Sequence, residues 1–453
     1  MKEQESRRAF IKKSGLAAAG LMLGGLGMSA KSYQRIVGAN DRVNVGVVGF
    51  SDRFKNSLLP AFKQYHKELN FDIIGVSDIW KRRREEGVNQ LSENFGHAIK
   101  GYFKNEELYR DKDIDAVIIS TADFQHASHA IEAAENKKDA YVEKPFAETM
   151  EDNRRAKAAV DHSGIIVQIG SQRRSGPNYH AANDYIRSGK FGDVVMAEMT
   201  WNVNQPDRWR RPQLVNECRE ADVDWTRFLV NRPHVDFDPR KYLEYRLFWP
   251  FSSGIPGQWM AHQIDTVHWF TGFNHPRSVV ANGGIYLWKD GRTNQDTMTA
   301  VMDYGPLNDM TKGFQVMYSS RFTNAAGGTK EIYFSNGGEL NLDTNQVSSN
   351  GYLTKDHAQV MGLKENKLES FKLDSMGKVS ADANTGGDPL TFLHMQNWME
   401  CVRSRKQTNA PVDAGYNHSV ACIMVNAAVR TGEKVVFDEK NQEVIAGGAA
   451  FKY

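Results

Sequence analysis

The run Val43-Asn44-Val45-Gly46-Val47-Val48-Gly49 is apolar at nearly every place and stops on a glycine, the pattern of a strand buried on both faces. Downstream, Asn56 to Glu68 reads as a helix and Phe71-Asp72-Ile73-Ile74-Gly75-Val76-Ser77-Asp78 as a second strand. Ala116-Val117-Ile118-Ile119-Ser120, Ala140-Tyr141-Val142 and Ile165-Ile166-Val167-Gln168 are further short β-rich runs with helical stretches between them. Strands and helices alternating at this spacing predict a doubly wound parallel α/β sheet over residues 40–165. After Gly192 the runs lengthen: Val194 to Val203, Ser278 to Leu287, Asp296 to Tyr304, Phe314 to Phe322 and Lys330 to Phe334. Their period-two, aromatic-rich content predicts an α+β domain over 166–453, built on a large, mainly antiparallel open sheet.

A chain of 453 residues has room for two such domains, and 40% hydrophobic with 25% charged residues is an ordinary globular balance. Residues 1–39 hold seven basic and two acidic side chains, so the remainder is net −3, which argues against nucleic acid as a partner. The basic excess has its own reading. Ser6-Arg7-Arg8-Ala9-Phe10-Ile11-Lys12, followed by a weakly apolar run from Gly15 to Ala30, has the layout of a twin-arginine export signal. That run is about 16 residues, below the roughly 20 needed to span a bilayer, so no stable membrane insertion is expected after export to the periplasm. Val37-Gly38-Ala39 offers a small-residue cleavage site. Cys218, Cys401 and Cys422 have no metal-binding spacing and permit at most one disulfide, and no metal is expected.

Gly49 ends the first strand where a dinucleotide fold needs backbone N–H groups to face a pyrophosphate, yet Gly49-Phe50-Ser51-Asp52-Arg53-Phe54 keeps only the first glycine of G-x-G-x-x-G. Asp78, 29 residues on, can accept hydrogen bonds from a ribose, and Lys81-Arg82-Arg83-Arg84 behind it would admit the 2′-phosphate of NADP. In the second domain, Gly257-Gln258-Trp259-Met260-Ala261-His262-Gln263-Ile264-Asp265 reads as the start of a helix with Gln258, His262 and Asp265 on one face. Ahead of it, Trp201-Asn202-Val203-Asn204-Gln205-Pro206-Asp207-Arg208-Trp209-Arg210-Arg211 mixes indoles, amides and guanidinium groups suited to a sugar ring, to which Tyr245, Arg246 and Trp249 add.

Ser120-Thr121-Ala122-Asp123-Phe124-Gln125-His126 and Tyr141-Val142-Glu143-Lys144-Pro145 both fall at strand ends. Gln168-Ile169-Gly170-Ser171-Gln172-Arg173-Arg174-Ser175, Ile186-Arg187-Ser188-Gly189-Lys190-Phe191-Gly192, Asp290-Gly291-Arg292 and Cys401-Val402-Arg403-Ser404-Arg405-Lys406 follow in order. With the leader and the His262 segment, these resemble the Gfo/Idh/MocA family of oxidoreductases across nearly the whole chain.

The resemblance implies an N-terminal Rossmann-type domain and a C-terminal substrate-binding and oligomerisation domain, whose open sheet face forms a homo-oligomer. It implies NAD as cofactor, with Gly49, Ser51, Asp78, Thr121, His126, Glu143, Lys144 and Gln172 as its contacts. Lys144, Arg174, Trp201, Arg246, Gln258 and His262 are the implied substrate contacts, and Lys144 and His262 the catalysts. Gln258 stands where the family typically has Asp, and an amide carries no proton, which makes His262 the expected proton carrier. The expected activity is NAD(P)-dependent oxidation or reduction of a secondary hydroxyl of a sugar or glycoside, at ring C3, on a nucleotide loaded before export and held tightly. Two alternatives stay open at this level: a redox-neutral NAD-dependent glycosidase or lyase working through a transient 3-keto intermediate, and a cofactor-free carbohydrate-binding relic.

Overall fold

The structure, a computed structural model, describes residues 42–373 and 388–452. The expected leader and its cleavage site lie outside the described residues. Six strands form the first sheet: β1 (Val43–Val48), β2 (Phe71–Ser77), β3 (Lys100–Tyr102), β4 (Ala116–Ile119), β5 (Asp139–Val142) and β6 (Val167–Ile169). They lie in the order β3-β2-β1-β4-β5-β6 and every pair is parallel. The order reverses between β1 and β4, and in open α/β sheets that is where the carboxyl ends of the strands leave a crevice for a ligand. Sequence periodicity does not reveal β3, because Lys-Gly-Tyr is an edge strand with two exposed residues and no apolar run. The helix expected from Asn56 begins instead as a π turn, Phe54–Leu58, before the α-helical Leu59–Tyr65.

The second sheet has eleven strands among the described residues. Its centre is β7 (Met196–Asn202), β8 (Ser278–Gly284), β9 (Thr297–Tyr304), β10 (Phe314–Arg321) and β11 (Thr329–Ser335), ordered β11-β7-β10-β9-β8. β7 and β10 run parallel, and the other central pairs are antiparallel. Buried and more open residues alternate along β9 and β10, as period-two patterning requires of a sheet with one covered face. The covering layer includes the helices Ala261–Thr271 and Val412–Thr431.

The chain crosses the expected boundary at residue 165 twice. β6 completes the first sheet beyond it, and the helix Pro389–Ser404 returns to the first domain with Met395, Trp398, Met399 and Val402 in the core of β1 and β2. The Trp398 indole lies 6.0 Å from the rings of Phe71 and Tyr141, and Arg403 Nη2 donates to the carbonyl of Asn70 at 2.8 Å. The described residues from Val43 onward accordingly form one compact unit. The three cysteines are free and buried, and no helix among the described residues is long and apolar enough to cross a membrane.

Trp398→Ala is expected to cost about 3–5 kcal/mol of unfolding free energy, the usual penalty for emptying a buried aromatic site. Urea unfolding followed by circular dichroism checks this; a loss below about 1 kcal/mol would mean that the C-terminal helix is only laid against the first sheet.

Candidate active site

The turn after β1 is built so that only glycine fits. Gly49 has φ +86°, and a Cβ there would meet Thr121 Cγ2 at 2.9 Å and the Ser120 carbonyl oxygen at 3.1 Å. Asp78 holds the turn from the end of β2, accepting from the backbone N–H of Phe50 at 2.9 Å and of Trp80 at 2.8 Å. Ser51 Oγ donates to Ser120 Oγ at 3.2 Å, and Ser120 Oγ donates to the Gly49 carbonyl at 2.8 Å, so the loops after β1 and β4 are tied together. Gly49, Ser51, Asp78 and Thr121 line one elongated cleft. Thr121 Oγ1 is buried there without a partner, a polar atom left for a ligand. A crowded glycine turn, an acid at the end of β2 and an orphaned hydroxyl fit a dinucleotide.

Sequence reasoning did not anticipate what covers this cleft. Residues from Trp209 to Arg246, including Arg211, Leu214, Phe228, Tyr242 and Tyr245, form its outer wall. The cover is pinned by a bridge between Trp80 and Val223, by Asp224 N–H donating to the Ile79 carbonyl at 3.0 Å, and by ion pairs of Arg211 with Asp52 and Arg227 with Glu106.

A second cavity opens from the same wall, lined by Lys144, Trp201, Arg246, Gln258 and His262 together with Arg53, Thr121, Glu143 and Gln172. Lys144 Nζ donates to the Gln258 backbone carbonyl at 2.7 Å. Burial drives its pKa down to about 8; Asp123 and Glu143 pull it up, while Arg246 and Arg53 push it further down. Glu143 accepts from Arg53 Nε at 3.0 Å and from Gln172 Nε2 at 3.3 Å. Burial alone would raise its pKa, but the Arg53 and Lys144 cations prevail and hold it below the ordinary carboxyl value. Behind the cavity, buried Asp123 accepts from Ser252 Oγ at 2.6 Å and from the Gln258 side-chain amide, whose Oε1 accepts in turn from Arg246 Nε at 2.8 Å.

Gln258 sits in a π turn, Pro256–Met260, that precedes the α-helix Ala261–Thr271. The wider turn shifts the helical phase, so Gln258 and His262 face the cavity while Asp265 turns away to Arg174. His262 stacks on Trp201 with an interplanar angle of 28°. It has no hydrogen-bond partner among the described residues. Burial, then the neighbouring Lys144, Arg173 and Arg53 cations, push its pKa well below the usual value.

Several expected contacts take other roles. Arg174 is spent on Asp265, with Nε and Nη2 at 2.7 and 3.0 Å from its carboxylate, and does not line the cavity; a fully buried acid needs a cation. His126 faces two backbone carbonyls, Pro145 at 2.8 Å and Thr121 at 3.2 Å, and Gln172 reaches Tyr141 and Glu143, so both position loops and side chains around the cavity. Trp201 is stacked on Trp259 at 7° and forms a wall, leaving no open indole face for a sugar ring. Trp249 lies elsewhere, under Arg430. Burial and the neighbouring cations disfavour the charged imidazole of His262, which makes it a weaker proton carrier than expected. Arg53 and Asp123 were missed. Arg53 occupies an x position of the fingerprint, which any residue may fill, so the motif gave no signal for it.

Residues 43–171 match the family described as GFO_IDH_MocA, oxidoreductase family, NAD-binding Rossmann fold. Over those residues the first domain is similar to that family's Rossmann domain. Inositol 2-dehydrogenase of Salmonella typhimurium is 25% identical over 213 residues, 47% of this chain and 60% of that protein. The scyllo-inositol 2-dehydrogenase (NAD(+)) of Bacillus subtilis is 41% identical over 124 residues, 27% of this chain and 34% of that protein. The chain thus spans less than two thirds of the length of these relatives. In fold the likeness is wider. Levoglucosan dehydrogenase, solved with NADH and levoglucosan, has a TM-score of 0.62 at 14% identity and covers 87% of this chain and 99% of its own. An oxidoreductase from Agrobacterium radiobacter, solved with NAD+, L-tartaric acid and magnesium, has a TM-score of 0.59 at 13% identity, covering 87% of this chain and 98% of its own. Such identities bear on architecture alone, and the architecture of the Rossmann domain with its large mixed sheet is the one found here.

Acylation of Lys144 by an amine reagent, mapped by peptide mass spectrometry, is expected to rise with pH about a midpoint near 8. Asp123→Asn removes a negative charge that opposes deprotonation, so the midpoint should move to lower pH. A midpoint near that of a free lysine, the same in both proteins, would show the ammonium to be solvated.

Proposed function

We propose that the protein is an exported NAD(P)-dependent oxidoreductase that oxidises or reduces a secondary hydroxyl of a sugar or glycoside, on a tightly held nucleotide. The observation that carries this reading is Lys144, buried in the second cavity, which shares Arg53 and Thr121 with the nucleotide cleft, with a pKa lowered to about 8. Such an amine exchanges a proton near neutral pH, as a hydroxyl oxidation requires. Bound nicotinamide supplies the hydride acceptor or donor. In the oxidation direction neutral Lys144 Nζ takes the hydroxyl proton, and in reduction its charged form returns one. The Gln258 carbonyl fixes Nζ, and Glu143, kept ionised by Arg53, supports the charged form. Neutral His262, with no other partner among the described residues, is placed to hydrogen-bond the same hydroxyl and orient the carbon.

The activity of the inositol dehydrogenases matched by sequence supports a polyol or sugar substrate. For the cofactor, Asp78 at the end of β2 and the engagement of Arg83 with Asp52 and Glu86 favour NAD over NADP, since the acid opposes a 2′-phosphate and Arg83 is already paired. The pinned cover over the cleft supports tight retention, and Ser6 to Lys12 support export by the twin-arginine route. The alternating, half-open face of β9 and β10 supports self-association through the second sheet.

Lys144→Ala is expected to lower the rate of nicotinamide reduction at 340 nm by about 10²–10⁴, the usual worth of a general base, while nucleotide stays bound. His262→Ala should cost less and act mainly on KM. Loss of nucleotide from the Lys144 variant, or a larger kcat effect from His262, would reverse these assignments.

A further inference from the structure

Among the cations of the second cavity, Arg246 stands out by what it lacks. Of the four carboxylates on the wall, Asp207 is exposed to solvent, and the other three are engaged. Glu143 is paired with Arg53, and Asp52 with Arg83, Arg211 and Lys55. Asp388 caps its helix, its two oxygens accepting from Thr391 N–H and Oγ1 at 2.9 Å each. Arg246 has no carboxylate within ion-pair distance among the described residues. Its Nε donates to the neutral Oε1 of Gln258, and its guanidinium lies 4.6 Å from the Tyr245 ring centroid. The Nη edge is left over, half-buried on the cavity wall beside Lys144, a second cation whose ammonium reaches only a backbone carbonyl. Two neighbouring cations repel, as the lowering of the Lys144 pKa by Arg246 reflects. A partly desolvated guanidinium facing a cavity is best satisfied by an anion with two coplanar oxygens.

We propose that the substrate is an acidic sugar, a monosaccharide carrying a carboxylate that pairs with the Nη edge of Arg246. This rests on the reading of the second cavity as a sugar site and names the class of sugar. Gln258 is part of the device. Its amide keeps Arg246 oriented without neutralising it, whereas a carboxylate in its place would neutralise the guanidinium from within the protein. Pairing at Arg246 also puts the ring of such a sugar beside Lys144 and His262, within the same cavity.

The test uses the full chain with its nucleotide bound, in wild-type form and as Arg246→Gln and Arg246→Lys. Binding of D-glucuronate, D-galacturonate, D-gluconate, the neutral sugars D-glucose and D-galactose, and glucose 6-phosphate is followed by tryptophan fluorescence. The expected result is that at least one of the three acids binds about tenfold or more tightly than the neutral sugars, with the preference weakening as salt rises. Arg246→Gln should abolish the preference and Arg246→Lys restore part of it. Equal or tighter binding of the neutral sugars, tightest binding of glucose 6-phosphate, or binding of none of these ligands overturns the proposal. So does release of nucleotide from Arg246→Gln with the preference intact, which would assign the guanidinium to the cofactor phosphates. Absorbance at 340 nm is read in parallel. An Arg246-dependent acid preference without any change in nicotinamide would sink the oxidoreductase reading and leave this one standing.

Discussion

A lysine ammonium buried where two domains meet has to be compensated, and the compensation ties the site together. Isolating such a charge from water costs several kcal/mol even after relaxation. Here Lys144 Nζ has a carbonyl from the π turn of the second domain, with the Glu143 and Asp123 charges close by. Each of those acids needs its own partners: Arg53 and Gln172 for Glu143, Ser252 and the Gln258 amide for Asp123. Through these bonds the loops after β1, β4 and β5 and the entrance of the Ala261–Thr271 helix are held to one geometry. Compensation is incomplete, and that leaves the amine able to titrate near neutral pH.

Those parts of the fold that follow from periodicity were legible in the sequence. β1, β2, β4 and β5 match their apolar runs, and β7 to β11 begin and end within a few residues of the alternating stretches. Lys144, Gln258 and His262 were legible as cavity residues too. Contacts made across hundreds of residues were not. Arg53 meets Glu143 90 residues on, and Asp123 meets Gln258 135 residues on; no local spacing encodes either. Arg174 misled because a cation next to a site motif looks the same whether it faces the cavity or a buried Asp265. The π turn at Gln258 misled differently: helical spacing assumes 3.6 residues per turn, and the wider turn moved Asp265 off the shared face.

The weakened glycine fingerprint has a physical reading in the same terms. Gly49 survives because its left-handed backbone and the crowding from Thr121 leave no alternative. The later positions are free to change because other residues took over their work. Ser51 laces the turn to Ser120, Phe54 is buried in the core, and Arg53 reaches across to Glu143. A loop of this kind is stiffened by side chains as well as by backbone shape, and from an unconstrained position it sends a guanidinium to Glu143.

The helix that carries Trp398 bears on how the protein is made. A ribosome has released all six strands of the first sheet by residue 169, yet the indole that packs between Phe71 and Tyr141 emerges more than two hundred residues later. At typical synthesis speeds this gap lasts roughly ten to fifty seconds. Throughout that time the nascent sheet shows water an apolar surface that belongs against the chain's far end. The domain translated first is therefore among the last to be finished, and a chaperone that shields that face until the C-terminal helix arrives would serve this chain better than one that acts only on the completed polypeptide.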